Sequence, residues 1–290
     1  MANKKAKTKA KPKTAKKATK AKAPVNKRTT TRVVSAKTVL EEAKKTKAQE
    51  GNIFKRFIDY TLMPNTIRMI ALELLGVFVL ATTFILTQGH PMYMMFSVIA
   101  VFLVLSHVTG GAFNPALSFG QWITRKICGA AMIVQIVAQF LGGMLALVVL
   151  QAFVGAAAGA DSAYGPTQLF TMQEVLAGKE WFLFAAEVVG TMLVALFLGR
   201  IAKAKSNNKL EKSLAIGAGV FAAMLLSGTV ATYATGMSVL NPSILMTLQA
   251  FPNKNWVWLV SIYIIAPLIG GAIGYVASDL LQEKESAKIR

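Results

Sequence analysis

The chain has 290 residues, 54% of them hydrophobic and 16% charged, with a mean hydropathy of +0.50. Its net charge of +19 is concentrated at one end: residues 1–50 hold 17 of the 32 Lys and Arg, and the other 240 residues carry a net of only +5. A nearly neutral, apolar body behind a basic tail excludes an ordinary soluble enzyme, because soluble domains run nearer about 25% charged.

Residues 1–50 are rich in Lys, Ala and Thr, with Pro12 and Pro24 interrupting any helix. Such a segment buries too little apolar surface to offset its ordering entropy and is expected to be a disordered cytoplasmic tail. No aromatic residue precedes Phe54, so base stacking is unavailable. Anionic lipid is therefore the expected partner of the tail, at about 1 kcal/mol per Lys, with nucleic acid as the alternative. Residues 51–67, with Ile53, Phe54, Phe57, Tyr60 and Leu62 beside Lys55 and Arg56, read as an interfacial lead-in. The first long apolar run begins near residue 69, too late for a cleaved leader.

A membrane-spanning helix needs about 20 mostly apolar residues. Six segments qualify, at roughly 69–88, 92–109, 128–152, 181–201, 213–233 and 256–279. Two shorter apolar stretches, about 114–123 and 241–250, are too short to cross, and each opens on Asn-Pro. Basic residues mark one face: the tail, Arg125, Lys126, the 200–212 segment and the C-terminal residues 281–290. The loops around 88–91, 153–178 and 251–255 carry only Lys254. Six spans of a plasma or cell inner membrane, with both termini cytoplasmic, satisfy this bias. The single cysteine, Cys128, reads as a buried thiol near a helix start and excludes a disulfide framework. His90 and His107 lie too far from other ligand types to form a metal site, so no metal and no cofactor are expected.

The chain repeats itself. Thr109-Gly110-Gly111-Ala112-Phe113-Asn114-Pro115-Ala116 returns as Thr235-Gly236-Met237-Ser238-Val239-Leu240-Asn241-Pro242-Ser243, with one residue more. Glu73-x-x-Gly76 precedes the first copy and Glu187-x-x-Gly190 the second; Gly142-Gly143 and Gly270-Gly271 follow. An odd number of crossings separates the copies, so the halves, about 68–152 and 181–279 within a domain at 68–280, insert with opposite orientation. Short interrupted segments at matching positions of an inverted repeat point to a permeation site near the midplane.

Pro at a first helical position loses no hydrogen bond, and Asn before it is a preferred cap. Asn114-Pro115 and Asn241-Pro242 therefore read as starts of two re-entrant half-helices whose N-termini meet in the membrane. Their dipoles repel cations, and the two amides donate to a passing oxygen. The preceding stretches, Gly110, Gly111, Ala112, Phe113 and in the second copy up to Val239 and Leu240, are then non-helical. Irregular backbone at membrane depth lines a cavity, and its carbonyls supply acceptors. Glu73 and Glu187 sit at equivalent places in apolar spans and are expected to accept hydrogen bonds from that backbone, with a proton relay as the rival reading.

At these residues the sequence resembles the aquaporin and aquaglyceroporin, or major intrinsic protein, family. The resemblance covers about residues 68–280 and rests on Asn114-Pro115-Ala116, the degenerate Asn241-Pro242-Ser243, both Glu-x-x-Gly starts and the Gly-rich third and sixth spans. It implies an all-α fold of six spans plus two half-helices, one pore per subunit and a homotetramer. It also implies an outer selectivity filter at Met94, at Gly228 or Thr229, at Met237 or Ser238, and at Ile244. The family normally has Arg at the place of Ile244, His at the place of Ala112 and Ala at the place of Ser243, so the implied filter is uncharged and largely apolar. A passive channel for small uncharged solutes, water first and glycerol-like polyols second, is the function expected, and not an enzyme. The alternatives are a non-conducting membrane scaffold with a binding tail and a proton-coupled transporter.

Overall fold

The computed structural model describes residues 51–109, 111–157, 175–248 and 255–288, excepting the side chains of 106–109, 154–157, 246 and 282–288. The expected disordered tail, Gly110 and the side chain of His107 lie outside this description. Among the described residues every regular element is helical. Residues 51–61 are helical, as α1, and the chain bends at Leu62 and Met63. Then follow α2 (Pro64–Leu86), α3 (Pro91–Thr109), α4 (Pro115–Ile123), α5 (Gly129–Ala157), α6 (Glu180–Ala202) and α7 (Lys209–Tyr233). The last elements are α8 (Pro242–Leu245), a single 3-10 turn (Met246–Leu248), α9 (Trp256–Val260), a π turn (Ser261–Ile265) and α10 (Ala266–Lys288).

Helices α2, α5, α6, α7 and the continuous α9–α10 unit are long and apolar enough to cross a bilayer. The 19 residues of α3 reach about 28 Å, close to the thickness of a hydrocarbon core of about 30 Å. All six expected spans thus fall on helices. The first begins at Pro64 rather than near residue 69, because Pro fits the first helical position and the lead-in helix ends at the bend before it. Cys128 is exposed, contrary to the expectation of a buried thiol: it precedes the first residue of α5 and stands outside the bundle.

Within each half the first and third spans pack together, α2 on α5 and α6 on α10, and α3 meets α7 across the halves. The half-helices cross over: α4 lies on α10 and α8 on α5. Glycine makes both sets of contacts possible. A Cβ on Gly142 would strike the Leu74 carbonyl, and one on Gly270 the Val188 carbonyl. Likewise Gly143 abuts the Ser243 carbonyl and Gly271 the Ala116 carbonyl. Small residues let backbones approach where no hydrophobic force drives helices together in lipid.

At one end, Asp279 on α10 takes Lys126, just beyond α4, at 2.8 Å and also Lys203, just beyond α6. Inside that cluster the Gln121 side chain donates to the Tyr275 hydroxyl at 3.0 Å. The outer faces of the spans expose Phe96, Val104, Val148, Phe182 and Ile273, as lipid contact requires.

Candidate functional site

Asn114 and Asn241 hold the centre. Asn114 is extended at φ −160°, and its Oδ1 caps α4 by accepting from the Ala116 N–H at 2.9 Å. Asn241 Oδ1 accepts from the Ser243 N–H at 3.1 Å and the Ser243 hydroxyl at 2.6 Å. Pro115 and Pro242 occupy the first position of each helix, where a missing N–H costs nothing. With both carbonyls engaged on caps, each amide nitrogen is turned toward the other half.

The residues before the caps complete the arrangement. Phe113 and Leu240 have φ of +50° and +57°, a left-handed backbone that side chains rarely adopt. That turn presents each carbonyl to the opposite asparagine: Asn114 Nδ2 donates to the Leu240 carbonyl at 2.8 Å, and Asn241 Nδ2 to the Phe113 carbonyl at 2.9 Å. An amide has two donor hydrogens, and these bonds use one of each pair.

Two carboxylates hold the strained turns. Glu73 accepts from the Ala112 N–H at 3.1 Å and the Phe113 N–H at 2.9 Å. Glu187 accepts from the Val239 N–H at 2.6 Å and the Leu240 N–H at 2.9 Å. Both are fully buried. The third partner differs: Gln139 Nε2 donates to Glu73 at 2.8 Å and to the Ser118 hydroxyl at 2.9 Å, whereas Glu187 receives the Ser238 hydroxyl at 3.0 Å. The repeat shows that Gln139 has no equivalent donor in the second half, where Pro267 stands, but not that Ser238 takes its place.

A cavity of about 50 Å³ lies against this centre. Its wall includes Asn114, Asn241, Ala112, Phe113, Val239 and Leu240. Around them stand Leu80 of α2, Val194 and Leu198 of α6, and Leu117 and Ile244 of the half-helices. Two stripes at four-residue spacing close it: Met94, Val98 and Phe102 on α3, and Ile216, Val220 and Met224 on α7. The asparagines are the polar side chains in this wall. Of the α3 and α7 stripes the sequence analysis singled out only Met94, although their i, i+4 spacing is legible there.

The other candidate residues separate into two groups. Met94 and Ile244 border the cavity. Gly228 continues the α7 stripe one turn past Met224, and a Cβ there would meet nothing within 4 Å. Thr229 is exposed, with its hydroxyl on the Leu225 carbonyl at 2.7 Å. Ser238 is bound to Glu187, and the Met237 carbonyl accepts from the Tyr263 hydroxyl at 3.1 Å. Ala116 and Ser243 are fully buried against the glycines of α10 and α5. Gly111 is buried in the non-helical stretch ahead of Ala112. Tyr263, which the sequence reading passed over, sits in the π turn, a helix irregularity frequent at functional sites.

A family model described as major intrinsic protein matches residues 83–277, more than half of the chain. The chain belongs to the major intrinsic protein family. It is 27% identical over 222 residues to Aquaporin Z of Photorhabdus laumondii, covering 72% of this chain and 94% of that protein. It is 26% identical over 191 residues to Aquaporin AqpM of Methanothermobacter marburgensis, covering 64% of this chain and 73% of that protein. Among solved structures, the aquaglyceroporin from Plasmodium falciparum shares the fold at 18% identity with a TM-score of 0.51, covering 73% of this chain and 93% of that one. This member of the major intrinsic protein family is a multi-pass membrane protein.

Proposed function

We infer that the chain is a passive transmembrane channel for small uncharged solutes, water and glycerol-like molecules among them, with the cavity at Asn114 and Asn241 as its narrow centre. The observation that carries this reading is the reciprocal asparagine pair: each amide spends one hydrogen on the opposite half and has a second to offer, in the wall of a cavity at the junction of the two half-helices. Two donors fixed by caps and cross-bonds orient a passing oxygen at little reorganisation cost, and the N-terminus of α4 adds a positive dipole end that repels cations. The relatives named aquaporin and the aquaglyceroporin fold support the same solute class.

The carboxylates favour a channel over a proton-coupled transporter. Glu73 and Glu187 stand outside the cavity wall and each spends both oxygens on loop N–H groups and a side-chain donor. Met94, Ile244 and Gly228 form the outer constriction in this reading, and Ala112, Phe113, Val239 and Leu240 contribute backbone.

Both termini are cytoplasmic in the same proposal. Lys126, Lys203 and the end of α10 meet at Asp279, so the basic segments expected on the inner face share one end of the bundle. A homotetramer follows from the family, the basic tail binds anionic lipid of the inner leaflet, and α1, with Ile53, Phe54, Ile58 and Leu62 exposed, is interfacial.

Stopped-flow light scattering on proteoliposomes tests the channel. Correctly folded protein should speed osmotic shrinkage, and glycerol re-entry, above empty liposomes. Rates equal to empty liposomes for every neutral solute would overturn it.

A further inference from the structure

The chemistry of the cavity wall says more about the solute than the asparagine pair does. Every side chain in the wall other than the two asparagines is a hydrocarbon or thioether, contributed by α2, α3, α6, α7 and both half-helices. Ile244, the third residue of the second half-helix, is 1% exposed, and it lines the cavity together with Leu117, the third residue of the first. The Phe113 and Leu240 carbonyls each accept an asparagine N–H, which leaves one lone pair on each. The hydroxyls of Ser238 and Thr229, which could have served a solute, point instead at Glu187 and the Leu225 carbonyl. Among the side chains of this wall a solute therefore finds two amide donors and, for the rest, hydrocarbon and thioether.

We propose that the preferred solutes are small neutral molecules with fewer hydroxyls and an alkyl face, such as short-chain diols, over the fully hydroxylated glycerol, and that Ile244 is a determinant of that preference. The proposal rests on the channel reading. A hydroxyl carried past a hydrocarbon wall forfeits its water partners, and the loss grows with each further hydroxyl. An alkyl face loses nothing by the same contact and gains dispersion with Met94, Val98 and Phe102. Apolar pockets discriminate a single added hydroxyl by at most about a hundredfold. Allowing for the two central donors, we expect about tenfold between 1,2-propanediol and glycerol, equivalent to roughly 1.4 kcal/mol.

The test is the protein-dependent part of solute re-entry into proteoliposomes of the full chain, after subtraction of empty liposomes, for 1,2-propanediol, 1,3-propanediol and glycerol. Both propanediols should exceed glycerol about tenfold, and Ile244→Thr, which keeps the β-branch, removes the terminal methyl and adds a hydroxyl, should lower that ratio at least threefold. Val98→Thr, on a different helix of the same wall, should act in the same direction and guards against a folding defect at Ile244. Glycerol entering as fast as either diol would overturn the preference and leave the channel standing. An unchanged ratio in both variants would overturn the assignment to the wall. No protein-dependent entry of any of the three, with folded protein shown by a sharp melting transition, would overturn the preference, and osmotic water flux equal to empty liposomes in the same preparation would overturn the channel with it.

Discussion

The Asn241 amide donates to the carbonyl of Phe113, 128 residues earlier, at 2.9 Å. Its mate runs from Asn114 to Leu240 at 2.8 Å. These two bonds join the halves of the molecule where the two half-helices begin. Each depends on a left-handed residue, Phe113 or Leu240, that backbone sterics disfavour, and each such residue is held by a buried carboxylate. The centre is thus a set of interlocked bonds whose members fail together.

Asn241→Ala follows directly. It removes the donor to Phe113 and the acceptor for the Ser243 N–H and hydroxyl, all within a buried site. Leaving such groups unpaired costs about 1–3 kcal/mol each. The expected result is a lower melting temperature in detergent, with a reduced water and polyol permeability per folded molecule. A variant with wild-type stability and flux would remove Asn241 from the centre.

The carboxylates give a sharper contrast. Glu187→Gln replaces one acceptor oxygen with an NH2 that faces a backbone N–H, either Val239 or Leu240. Hydrogen bonds to a charged acceptor contribute roughly 1.5–3 kcal/mol, so the folded yield should fall by that measure in thermal or denaturant titration. Flux through the surviving protein should stay independent of pH between 6 and 8, on the order of the wild-type profile. Flux that in wild type depends on pH and in Glu187→Gln does not would instead make the carboxylate a proton carrier.

The repeat made much of this visible beforehand. Asn-Pro pairs 127 residues apart and glutamates 114 apart are conspicuous in apolar surroundings, because a membrane tolerates neither a broken helix nor a carboxylate without a reason. What differs between the halves was not legible. Glu73 is served by Gln139 from a neighbouring span and Glu187 by Ser238 from the adjacent loop, so one requirement is met by residues at unrelated positions. The π turn at Ser261–Ile265 was equally hidden, since Ser-Ile-Tyr-Ile-Ile has the apolar pattern of any spanning helix. Its extra residue matches a spacing in the sequence: Gly271 lies 30 residues after Asn241, whereas Gly143 lies 29 after Asn114. Cys128 deceived for a simpler reason: a lone thiol among apolar residues suggests burial, but its position just ahead of α5 leaves it at the bundle end.

Glycine substitutions separate packing from passage. Gly271→Val drives a side chain into the Ala116 carbonyl and its surroundings, where α4 lies on α10. Overpacking of this kind costs about 1–3 kcal/mol, and the half-helix would be displaced with it. Gly228→Ala meets nothing within 4 Å and should fold as the wild type does. If Gly228 borders the outer constriction, the added methyl slows the larger polyols more than water in the liposome assay. Equal slowing of all solutes, or none, would place Gly228 off the path.

Cys128 offers a test of orientation that needs no substitution. It is the single cysteine of the chain, it is exposed, and it lies two residues from Lys126, which shares Asp279 with Lys203. If the basic segments face the cytoplasm, a charged maleimide that does not cross membranes should label inside-out vesicles and spare intact cells until they are permeabilised. Modification is read as a mass shift on the purified protein. Labelling of intact cells would turn the molecule over, putting Asp279 and its two lysines on the outer face, against the charge bias that orients helical membrane proteins.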